Sequence, residues 1–389
     1  MTTAIDDHPA PPTNEPAANE AAEGVAAQRE VRYEHSLSLA PLLEKLGITV
    51  LVSTYQAGKM VAIGTHQGRL VQSFHNFDRP MGVAVGTDRI AVAARNQIWL
   101  LHNSADIAPK IEPAGKHAAC YLTRSSQMTG EIQAHEMGWC GDELWIVNTL
   151  FSCLCTLDGE HSFVPRWCPS FISKLAAEDR CHLNGLAIFE GRPKYVTAMA
   201  QSDTAGGWRP TKVTSGCLID VDSSEVVAEG FAMPHSPAVY RGHTWVLDSG
   251  RGSLKHVDVS SGKTETVAKL PGYARGMSFC GDYALIGLSK IRETSTFGGV
   301  PIAENREQLK CGVAVVDLTS GKLAAVFEFK AGVDEIFDVS VIPNARMAAF
   351  RGPFAATEGD AVIWTVPQEA RDLPKSQPMK PGSTGRQNK

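Results

Sequence analysis

No apolar run in the 389 residues reaches the ~18 needed to cross a bilayer as a helix. There is no basic block either. Lys and Arg number 37 against 42 Asp and Glu, for a formal charge of −5, which argues against a nucleic-acid partner. None of the nine cysteines forms a C-x-x-C pair, so zinc-ribbon and thioredoxin-type readings lose their support. The odd count and apolar settings such as Ser152-Cys153-Leu154-Cys155 fit reduced thiols that pack as small hydrophobes. The N-terminus lacks the basic and then apolar stretches of a secretory signal, and a cytoplasmic location without a membrane partner is expected. Familiar catalytic signatures are missing too. His135-Glu136 does not open an H-E-x-x-H, because Met137-Gly138-Trp139 follows; 276–280 lacks the last glycine of G-x-S-x-G; and 56–60 lacks the first glycine and the hydroxyl of a P-loop. Helical periodicity is confined to 38–47, where Leu39, Leu42, Leu43 and Leu46 share a face.

What is present is a repeat. An apolar strand, a tight turn with glycine and a second, strongly apolar strand recur in GWCGDELWIVN from Gly138, AVYRGHTWVLDS from Ala238 and MSFCGDYALIGL from Met277, with looser copies from Gly82, Gly185 and Val339. Each is followed by a strand that turns through Ser, Gly or Lys and resumes with alternation, as in HVDVSSGKTETVAKL. Together these make a four-stranded unit. Second strands near 51, 90, 144, 195, 244, 284 and 347 suggest seven units, and a four-stranded meander repeated in this way is the signature of an all-β, β-propeller fold. The first unit lacks an innermost strand and the last lacks an outermost one. Seven blades are favoured, with the strand 31–36 closing the ring against the last blade. Six is the alternative, if the N- and C-terminal pieces merge into one blade. Residues 1–30 and 367–389, rich in Pro and polar residues, are expected as disordered or flexible tails around one domain at 31–366.

The propeller tags G-H…W-D and the kelch Gly-Gly are absent. The phrases STYQAGK, AHEMGW, FSCLCTLD, EDRCHLNGLA, MPHSP and LDSGRG resemble instead a bacterial family known by a domain-of-unknown-function label, over most of 35–365. The resemblance implies a propeller-like body and brings no established activity with it.

In a propeller the residues just before each first strand converge on the central tunnel. His135, His182 and His235 stand there in three successive units, Arg79 and Arg275 in others, and Glu136 and Glu335 beside them. Three imidazoles at one register are a coordination shell for a divalent transition metal (Zn²⁺, Fe²⁺ or Mn²⁺), with Glu136 or Glu335 as further ligand or general base. Arg79 and Arg275 are suited to clamping an anionic small-molecule substrate, and Asn148, Asn184 and Asp248 to its polar groups. The plainer reading gives the histidines to loop carbonyls, the arginines to ion pairs with neighbours such as Asp78 or Glu335, and the polar residues to turn capping. Two functions follow: a metal-dependent enzyme of hydrolase or lyase type working at the tunnel, or a non-enzymatic recognition or scaffold propeller. The long insert 291–310 reads as a lid, a contact surface or a variable loop.

Overall fold

The computed structural model describes residues 30–291 and 298–367, within which the compact unit begins at Val31. All but the innermost residue of each expected tail, and residues 292–297 of the insert, lie outside the described residues. The chain forms six antiparallel sheets of four strands each, two of them extended by a fifth. Hairpin turns follow the residues read from the sequence. Glu190-Gly191 (φ 50° and 74°) and Arg241-Gly242 (φ 53° and 76°) put two consecutive residues in the left-handed region, as a two-residue turn matching the strand twist requires.

Blade I takes its innermost strand from the C-terminal part of the chain, Asp338–Ile342, and continues outward through Thr49–Ser53, Lys59–His66 and Arg69–Asn76. Blade II runs Val83–Val85, Arg89–Ala93, Gln97–Asn103, Ala119–Met128. Blade III runs Ala134–Cys140, Glu143–Asn148, Cys153–Thr156, Val164–Trp167. Blade IV runs Leu183–Phe189, Arg192–Ala198, Gly216–Asp220, Val226–Phe231. Blade V runs Pro234–Tyr240, His243–Asp248, Ser253–Asp258, Lys263–Lys269. Blade VI runs Tyr273–Cys280, Tyr283–Ser289, Gly312–Asp317, Lys322–Ala331. The six innermost strands touch one another in this order and return from blade VI to blade I, so the ring is closed.

The propeller therefore has six blades, the arrangement in which the terminal pieces merge, and not seven. Six of the seven second-strand signatures are second strands. The seventh, Ala348–Arg351, joins the outer edge of blade II in parallel to Ala119–Leu122. The strand expected near 31–36 pairs, as Arg32–His35, with the outer edge of blade VI. Closure is made elsewhere, by Asp338–Ile342 against Thr49–Ser53 in a register running from Thr49 opposite Ile342 to Ser53 opposite Asp338.

The core is divided among the blade interfaces. Leu51, Met60, Val83 and Ile90 fill the one between blades I and II; Ala91, Ile98, Leu144 and Ile146 that between II and III; Leu247, Leu254, Ile286 and Leu288 that between V and VI. The helix Leu39–Leu46, ended by Gly47 at φ 69°, packs Leu39 and Leu43 into the interface between VI and I. All nine cysteines are free. Among the described residues no helix is long and apolar enough to cross a membrane.

Candidate functional site at the tunnel mouth

His135 and His235 each occupy the second position of a first strand, in blades III and V, and are held alike. The residue two places earlier, Gln133 or Met233, adopts φ near 50° and turns its carbonyl to the ring, so that Nδ1 lies 3.0 Å from it in both blades. A hydroxyl fourteen residues on completes the clamp: Thr149 Oγ1 at 2.7 Å and Ser249 Oγ at 3.0 Å. Thr149 donates its own proton to the Leu183 carbonyl, so its oxygen accepts from the imidazole. His182 does not share this register. In blade IV the second strand position belongs to Asn184, while His182 itself takes the left-handed position (φ 50°), two residues earlier than the sequence comparison suggests. Its Nδ1 lies 2.9 Å from Asp179 Oδ1, and Trp208 Nε1 donates to the same carboxylate at 2.9 Å.

The rings of His135 and His182 meet edge-on at 5.0 Å, and His135 lies 5.0 Å from Phe337. His182 lies 4.3 Å from Trp208, and His235 5.8 Å from Tyr273. Burial, and then the charges of the other histidines and Arg275, hold His135 and His235 well below the usual imidazole range. No hydrogen bond among the described residues is made at any of the three Nε2 atoms, and His235 Nε2 is buried without a partner. As placed, the ligand atoms of the three do not all lie within 4.8 Å of one another.

The other expected residues are distributed unevenly. Arg275 is buried, donates to Glu335 Oε1 at 2.7 Å and stacks 3.9 Å above the Phe337 ring, while Arg79 is exposed. Asn184 donates to the Pro234 carbonyl and accepts from Thr197. Asp248 accepts from the Ala232 amide and faces Arg251, and Asn148 accepts from the Phe151 amide. All three are fully buried; the Asn184 bond to Pro234 joins blade IV to blade V, Asp248 holds the connection between those blades at Ala232, and Asn148 holds a turn within blade III. The described part of the insert buries Val300 and Leu309 in one cluster with Trp208 and Tyr273, the ring neighbours of His182 and His235.

Between the innermost strands lies a cavity of about 170 Å³ with Glu136, Ser236 and Asp338 in its wall. Glu136 accepts from the Leu186 amide at 2.8 Å and from the Ser236 hydroxyl, which in turn accepts from the Gly276 amide. Asp338 accepts from the amides of Val83 and Val339, both at 2.7 Å. Burial, with Asp338 close by, pushes Glu136 up to about 8; burial raises Asp338 to about 6. Sequence reasoning missed Asp338 and Asp179. A lone carboxylate inside the apolar run Ile336-Phe337-Asp338-Val339 is the signal that marks the first of them.

The family described as "Domain of unknown function (DUF4915)" matches this chain over residues 37–350. No curated protein matches it. A solved structure titled "Crystal structure of Nidogen/Laminin Complex" is similar over 76% of this chain and 99% of that one, at 9% identity and a TM-score of 0.47, a likeness too slight to carry an argument.

Proposed function

From the premise that the chain belongs to the DUF4915 family of unknown function, we propose that its tunnel mouth is a divalent transition-metal site. His135, His182 and His235 are the ligands, and a small polar or anionic substrate is hydrolysed or cleaved by elimination there. One observation carries the reading: each imidazole spends Nδ1 on a fixed acceptor, a carbonyl for His135 and His235 and a carboxylate for His182. A neutral histidine that donates Nδ1–H keeps its lone pair on Nε2, the tautomer that a metal takes, and such acceptors are the usual outer partners of metal-bound imidazoles. Burial keeps His135 and His235 neutral, which metal binding also needs.

Arg275 supplies the positive charge for an anionic substrate, exchanging its bond to Glu335 for one to the ligand. Held by His135, His182 and His235, such a metal would supply Lewis-acid activation of a water molecule. Glu136, with its carboxyl raised to about 8, holds a proton near neutral pH and serves as the acid rather than as the base expected from the sequence. Closing on one ion requires the three rings to draw together, since their ligand atoms do not all lie within 4.8 Å of one another. That spread favours the competing reading, a recognition propeller whose imidazoles are structural.

Elemental analysis of protein made in metal-replete medium separates the two. Wild type is expected to carry a transition metal that is lost in His135→Ala, His182→Ala and His235→Ala with the fold retained. Equal metal content in wild type and all three variants overturns the metal site and leaves the recognition propeller.

A further inference from the structure

We propose that the outer flank of blade I carries a second divalent-cation site, built from His75, Glu358 and Asp360 and independent of the tunnel. The three offer ligand atoms that all lie within 4.8 Å of one another, the one such group among the described residues. His75 sits near the end of the outermost strand and is 4% exposed. Its Nε2 is engaged by Ser73 Oγ at 2.9 Å, while Nδ1 is buried without a hydrogen bond. Facing it at 3.7 Å is Glu358 Oε2, also buried and without a hydrogen bond. The other Glu358 oxygen accepts from the Asn76 amide, and Arg351 lies 3.4 Å from Asp360 Oδ1.

Two buried polar atoms left without a hydrogen bond and facing each other cost stability unless something joins them. At 3.7 Å they are too far apart for a direct hydrogen bond. The gap suits two donors on one ion with bonds of ~2.0–2.2 Å. Every ligand already has an outer partner on its remaining atom: Ser73 for His75, the Asn76 amide for Glu358, Arg351 for Asp360. That is how ligating side chains are usually oriented. A cavity of about 580 Å³, with His75 and Asp360 in its wall, gives an ion and its waters a way in. One imidazole and two carboxylates suit Zn²⁺ or Mn²⁺ better than a soft ion such as Cu(I). Bound there, the ion ties the end of the blade I edge to the segment that follows Ala348–Arg351, the strand added to blade II.

The plain alternative is a protonated His75 paired with Glu358. Calorimetric titration of the chelator-treated full chain with Zn²⁺, and separately with Mn²⁺, decides between them, using wild type, Asp360→Asn, Glu358→Gln, His75→Gln and His235→Ala. The expected result is an ion, additional to any held in the tunnel, whose affinity falls at least tenfold in each flank variant and is unchanged in His235→Ala. Asp360 is partly exposed, so Asp360→Asn should melt as wild type does and separates lost binding from lost folding. If Asp360→Asn binds Zn²⁺ and Mn²⁺ with the stoichiometry and affinity of wild type, or if wild type binds neither, the flank site is overturned. A sole ion lost only in His235→Ala belongs to the tunnel and equally removes the flank proposal.

Discussion

Glu136 is the residue on which the tunnel's response to pH turns. On folding, its carboxyl moves from 4.5 up to about 8, through burial first and Asp338 second; Asp338 moves from 3.8 to about 6, through burial. A carboxyl raised by folding favours the native state below its unfolded value, and that stability is lost as pH climbs through the folded value. Melting temperature should therefore fall between about pH 4 and 8 as the Glu136–Asp338 pair loses its protons. Glu136→Gln, which keeps the shape and removes the titration, should flatten the upper part of that slope. Melts at a series of pH values check this; a variant profile parallel to wild type means that the Glu136 carboxyl is not held protonated. The same residue shows how far sequence reading reaches. Its position at the tunnel was legible because it follows His135 in a repeated first strand. Its proton affinity was not, because Asp338 and Ser236 meet it from blades that lie far away in sequence.

Among the strands, those at the two ends of the chain play unequal parts. Arg32–His35 lies exposed on the outer edge of blade VI, held by ladder pairing and by Tyr33 stacked 5.3 Å from Phe327. Asp338–Ile342 is innermost, mostly buried, and pairs along Thr49–Ser53 on the side of the axis. Deleting residues 1–36 should then cost on the order of 1–2 kcal/mol, the worth of a few cross-strand pairs, and leave one cooperative melt. Ending the chain at residue 333 removes the closing strand, exposes the Thr49–Ser53 edge and should abolish that melt. Circular dichroism melts of the two truncations test the assignment; a larger loss from the N-terminal deletion would return the closing role to 31–36.

For the whole molecule, a closed ring with one apolar cluster at each interface implies that no blade unfolds alone. Leu51 is fully buried between blades I and II, and Leu51→Ala should cost about 2–5 kcal/mol, as large-to-small core substitutions do. That loss should shift the melt of the entire ring. Leu175, half exposed, should be near neutral on replacement by Ala. Far-UV ellipticity and tryptophan fluorescence should move together in Leu51→Ala; separate transitions would mean that the interfaces act independently.

The sequence alone determined the all-β character, the four-stranded repeat, the glycine turns and the helix at 38–47, because alternation and turn chemistry are local properties. It also left open the merging of the two ends, visible in a first unit without an inner strand and a last unit without an outer one. Tertiary structure decided the rest. Ala348–Arg351 has the pattern of a second strand, and only closure at six blades sends it to the edge of blade II. His182 falls two residues out of register with His135 and His235, because the left-handed position and not the spacing fixes where the strand begins. His75 and Glu358, like Glu136 and Asp338, lie far apart in the sequence, and a pattern read along the chain carries face and turn but not the partner that ring closure supplies.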